Sequence, residues 1–168
     1  LMPDINQVKS QYFESIKLLI IPIFPCMFFL AGVSDSFVAI FFDKQIWNKL
    51  PDIIMILAIL GSFQATTAPV GVLYKLQKNT SLFFYVTSLG VLVVGSAYFI
   101  GVQWGLVEAI LIHSFLWIFI LYPVSNILIF RSLDASFYDF NKQLILPVLF
   151  SSGIFFSLRY CSYLLENN

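Results

Sequence analysis

One run constrains this chain more than any other. Residues 52–74 extend for about 23 positions and carry no Lys, Arg, Asp or Glu after Asp52 itself. At about 1.5 Å of rise per residue, a helix of that length crosses a hydrocarbon core roughly 30 Å thick. Pro51 stands just ahead of the run, where a first-turn proline is tolerated because its missing N–H would be an orphan donor anyway. Ser62, Gln64, Thr66, Thr67, Pro69 and Gly71 interrupt the apolar sequence. A span that only anchored a protein has no use for them.

Similar apolar segments recur. The chain has 168 residues, 60% hydrophobic and 11% charged, with a mean hydropathy of +0.90. So little charge does not cover a water-facing surface. The reading is an all-α, polytopic transmembrane helical bundle of about five spans. Their expected positions are 18–34, 52–74, 82–101, 106–130 and 143–165, so that 18–165 forms the bundle. Ahead of it, residues 4–17 place Ile5, Val8, Tyr12 and Ile16 on one helical face, with Asp4 and Gln7 spaced as a capping box. Residues 1–17 therefore read as an amphipathic interfacial lead-in, either a plain approach to the first span or an element that moves with the bundle. The short apolar piece 36–42 either continues the first helix or turns at the interface. Residues 101–105 read as a tight turn, and 131–142 as a polar loop. Nothing repeats internally.

Basic residues in short loops set orientation. Lys9, Lys17, Lys75, Lys78, Arg131 and Lys142 collect on one side, and Lys44, Lys49 and Arg159 on the other. The first side, with the N-terminal end, is expected in the cytoplasm. Trp47 and Trp104 suit the interfaces. The formal net charge is zero and no basic patch is present, which argues against nucleic acid. Cys26 and Cys161 lie in apolar segments and read as buried small hydrophobes rather than a disulfide or metal pair. With a single histidine, neither metal nor other cofactor is expected.

Candidate chemistry is sparse. Glu108 is expensive inside a span and would pair or face water, as in proton or cation coupling. It also stands near Gly105, where it could reach the interface and favour a helix N-terminus. His113 follows five residues later, well around the helix, so the two do not form one pair. It either titrates near neutral pH or bonds across helices. Gln64 and Thr67 share a face and either line a polar path or tie helices together. Arg159 is expected to snorkel. No nucleophile–base arrangement, phosphate-binding glycine loop or paired carboxylates are visible, so the chain does not read as an enzyme.

A fuller pattern then emerges. Met2-Pro3 and a polar lead-in precede a proline-bearing span. Phe41-Phe42-Asp43 follows with Trp47, then 57–71 with Gln64, then 75–79, then Gly101-Val102-Gln103-Trp104-Gly105 leading to Glu108-Ala109. Over about residues 1–145 this resembles the C-terminal part of bacterial polysaccharide exporters, the lipopolysaccharide O-antigen flippase branch of the multidrug/oligosaccharidyl-lipid/polysaccharide exporter superfamily. The resemblance implies part of one lobe of a two-lobed exporter. It implies alternating-access transport of undecaprenyl-diphosphate-linked oligosaccharide across the bacterial inner membrane. Its partners would be the lipid bilayer, the lipid-linked oligosaccharide and an N-terminal transporter lobe. Leu1 in place of Met fits a piece of a longer protein or a reading frame that lost its front. A cation-coupled multidrug exporter of the same superfamily, a polytopic membrane enzyme of polysaccharide assembly, and a helical remnant are the alternatives.

Overall fold

The computed structural model describes residues 5–43, 46–76, 80–132 and 136–166. The expected cap Asp4 and the loop positions Lys44, Lys78, Asn79 and Asp134 lie outside them. The described chain is all-α: α1 (Ile5–Gly32), α2 (Ser34–Phe41), α3 (Leu50–Thr67), α4 (Val70–Leu76), α5 (Thr80–Gly101), α6 (Leu106–Leu116), α7 (Tyr122–Ser132) and α8 (Phe137–Glu166). Five stretches are long and apolar enough to cross a membrane: Gln7–Gly32, Leu50–Tyr74, Thr80–Gly101, Leu106–Leu128 and Phe140–Leu164. The chain is a polytopic helical bundle.

α1 shows how the sequence builds the core. Tyr12, Ile16, Ile20, Phe24, Phe28 and Ala31 are all buried, and they recur every three or four residues. That spacing is one stripe along a helix. No break separates the 5–17 segment from the remainder of α1, because the stripe runs straight through it. Pro22 and Pro25 lie inside this helix, where neighbouring helices supply the packing that lets it persist. α3 and α8 flank α1, and α5 leans mainly on α6. Cys26 sits on the outward side of α1, and Cys161 is exposed on α8. The expectation that both are buried is thus corrected; position 26 falls across the helix from the 20–24–28 stripe. Both thiols are free.

Aromatic rings fill the contacts. Phe13 stacks on Phe130 with centroids 5.9 Å apart, and Phe130 meets Phe140 at 5.0 Å. Phe63 packs edge-on against Phe24 at 5.5 Å. In lipid such packing matters because the hydrocarbon gives no hydrophobic drive for helices to associate. The outside is correspondingly apolar: Phe99 is 78% exposed and Leu146 76%. Apolar surface on that scale suits hydrocarbon and not water.

Two breaks and one extension depart from uniform spans. Pro69 has no N–H to donate, and the 52–74 run splits into α3 and α4 around Ala68 and Pro69. Ala68 N–H instead closes a tighter turn onto the Ala65 carbonyl at 3.3 Å. Between α6 and α7 the helix widens into a π-helical turn over Trp117–Leu121, where Tyr122 N–H reaches back to the Trp117 carbonyl. Pro123 follows at once and forces the same kind of accommodation. Finally, most of the expected 131–142 loop is helix. α7 runs to Ser132, and α8 starts at Phe137 because Phe140 and Leu144 extend its apolar stripe into the core.

Candidate functional site

Three hydroxyls of the 52–74 run bond back onto their own helix. Ser62 Oγ donates to the Ile59 carbonyl at 2.6 Å, Thr66 Oγ1 to Phe63 at 2.7 Å and Thr67 Oγ1 to Gln64 at 2.8 Å. Each hydroxyl satisfies itself three residues back, a habit that bends helices and places this polar strip just before the Pro69 break. Gln64 and Thr67 are therefore joined through the Gln64 carbonyl. Thr67 also lines an open groove of 690 Å³ between this region, α5 and the π-helical turn. Phe83, Thr87, Gly90, Trp117 and Ser125 contribute to its walls. The groove is mostly apolar, with hydroxyls at Thr67, Thr87 and Ser125.

Glu108 and His113 stand on α6 but do different things. Glu108 occupies the first turn, where a carboxylate favours the positive helix end. Its carboxylate folds back over Gly105 and occupies the place a Cβ would take there, and Gly105 itself stands at φ 145°. Glu108 Oε2 is buried without a hydrogen-bond partner among the described residues. His113 Nδ1 lies 3.3 Å from the Tyr98 hydroxyl, with ring centroids 5.3 Å apart. That contact joins α6 to α5. The four sequence candidates thus fall into two places, Gln64 and Thr67 at the α3–α4 break and Glu108 and His113 along α6.

Two groupings escaped sequence reading. Arg159 pairs with Asp35 at the start of α2, and its Nη2 reaches Met55 Sδ at 3.1 Å. The same guanidinium lies 5.9 Å from the Phe155 ring centre. The available signal was that Asp35 and Arg159 are opposite charges beside or within apolar segments. The second grouping is a set of buried phenols, Tyr12, Tyr74 and Tyr122, with Asn126 beside them. Nothing local marks it, because it is assembled from α1, α4 and α7. Among the described residues, no group of three or more His, Cys, Asp or Glu side chains gathers to hold a metal ion.

A relative bears on what such a bundle does. The chain is similar to the teichuronic acid biosynthesis protein TuaB of Bacillus subtilis. The two are 28% identical over 128 residues, which is 76% of this chain and 25% of TuaB. The chain therefore spans about a quarter of the length of that relative. No family model matches the chain, and no solved structure matches it.

Proposed function

We propose that this chain takes part in polysaccharide biosynthesis as a piece of a membrane transporter. Its cargo would be an undecaprenyl-diphosphate-linked oligosaccharide, moved between leaflets of the bacterial inner (plasma) membrane for polysaccharide or lipopolysaccharide assembly. The single observation that carries the reading is the likeness to TuaB, whose name places it in teichuronic acid biosynthesis, across three quarters of a five-span bundle. The interrupted helices support it. Breaks at Pro69 and before Pro123 give the bundle joints of the kind on which alternating access depends. In this reading the chain works by moving its cargo, not by catalysis, and its N-terminal end is cytoplasmic. The remaining transporter lobe is its partner. Thr67 belongs to a groove wall of mixed apolar and hydroxyl character, and Gln64 lies one helical turn earlier.

The test is genetic. Disrupting the gene in its native host, with the complete gene restored on a plasmid, should abolish surface polysaccharide and recover it on restoration. Unchanged surface polysaccharide in the disrupted strain, with no second transporter gene compensating, sinks the reading.

A further inference from the structure

α1 and α8 run side by side in the same direction. Phe13 meets Phe140 near their first ends, with ring centroids 6.1 Å apart, and Gly32 lies against Leu158 and Phe155 near their last. The two helices change character at the same depth. Lys17 is the last charge on α1 before an uncharged run over 18–32, and Lys142 is the last on α8 before an uncharged run over 143–158. A shared boundary of that kind marks the level where headgroups give way to hydrocarbon.

At this boundary the helices part around an open notch of 200 Å³, lined by Lys17, Ile20, Ile21, Gln143, Leu146 and Pro147. Its two polar residues precede its apolar ones by one helical turn on each helix. Ile20 is buried, whereas Ile21 and Leu146 are 65% and 76% exposed. Lys17 and Gln143 are exposed, and Lys17 makes no ion pair or hydrogen bond among the described residues. Pro147 brings no N–H to the Gln143 carbonyl one turn back, so the notch wall is short of one helix donor.

We propose that this notch binds one anionic phospholipid of the bilayer. The phosphate sits on Lys17, the headgroup hydroxyls meet the Gln143 amide and carbonyl, and an acyl chain lies over Ile21, Leu146 and Pro147. Charge favours an anionic headgroup. Lys9, Lys17 and Lys142 stand at this end of the two helices against Glu14 and Asp139, and Glu14 does not line the notch. A zwitterionic lipid leaves its own cation beside Lys17, and a headgroup without chains leaves the apolar wall bare. α8 packs mainly on α1, so a lipid seated between them bears on how firmly α8 is held. The site is separate from the groove beside Thr67 and does not rest on the transport reading.

Photo-crosslinking tests this. Protein from the complete gene, in detergent micelles, receives phosphatidylglycerol with a diazirine in its acyl chain. Crosslinks should concentrate on residues 18–21 and 144–147. Unlabelled phosphatidylglycerol should suppress them at concentrations where phosphatidylcholine and glycerol phosphate do not. Lys17→Gln should weaken that suppression about fivefold, the effect of one lysine near anionic headgroups. Leu146→Trp fills the notch but keeps Lys17, and it should lower the crosslink yield as well. Lys49→Gln, at the far end of the bundle, should leave the yield unchanged. All three side chains are exposed, and crosslinking of the unaltered protein decides in any case. Crosslinks spread evenly over the lipid-facing helices overturn the proposal. So does equal suppression by phosphatidylcholine or glycerol phosphate, or an equal loss in Lys49→Gln.

Discussion

Two interhelical residue pairs invite measurement. The Asp35–Arg159 ion pair is only partly buried, its side chains 32% and 33% exposed. Solvent screens such pairs, and their usual worth is about 0–1 kcal/mol. Arg159→Ala should therefore destabilise by about 1 kcal/mol or less from the pair itself. Exchanging the charges, Asp35→Arg with Arg159→Asp, should restore part of the loss relative to either single change. A double-mutant cycle on unfolding in mixed micelles reads this directly; strictly additive effects would show the two groups do not interact. His113 makes a smaller contact. Interhelical hydrogen bonds in membranes average about 0.6 kcal/mol. His113→Phe and Tyr98→Phe should each cost about that much, and the double variant no more than one of them.

Glycine and proline decide the elements. Gly101 lets α5 turn tightly into α6, since a Cβ there would meet the Ala109 backbone and side chain. Gly101→Val should cost about 1–3 kcal/mol by overpacking and loosen the α5–α6 hairpin, seen as faster hydrogen exchange over 106–116. Unchanged exchange would contradict the close approach. Gly105 demands a backbone that side chains rarely adopt, at φ 145°, so Gly105→Ala should weaken the same hairpin. At the other break, Pro69→Ala restores an N–H and should let α3 and α4 join into one helix. Slower exchange of the 70–74 amides would report it. Much of this was legible in the sequence. The uncharged runs between Lys and Arg clusters located the spans, and the 101–105 turn announced itself through paired glycines. The ends of α1 and α8 were not legible. Polar residues such as Lys9, Asp139 and Lys142 read as non-span, while Tyr12, Ile16, Phe140 and Leu144 carried the helix through them.

At the scale of the whole molecule, the bundle carries many exposed apolar side chains and an aromatic interior, with a few polar groups buried inside it. Sequence patterning could place Gln64, Thr67, Glu108 and His113 on helices but not say which would meet. The Asp35–Arg159 pair joins positions 124 apart, and the phenol node gathers three helices. Such groupings are products of packing, and no local spacing encodes them. Orientation is a molecular property too. An N-terminal end in the cytoplasm predicts that a cysteine introduced at Asn48, between α2 and α3, reacts with membrane-impermeant maleimide in intact cells. Protection there, with reaction only after lysis, would invert the bundle.

The most direct measurement of the central claim is the leaflet in which lipid-linked oligosaccharide resides. In cells lacking the gene, the oligosaccharide should accumulate on the cytoplasmic leaflet, shielded from an impermeant lectin or glycosidase added outside. In cells carrying it, the oligosaccharide should be accessible. Equal accessibility in the two strains would contradict a role in transport.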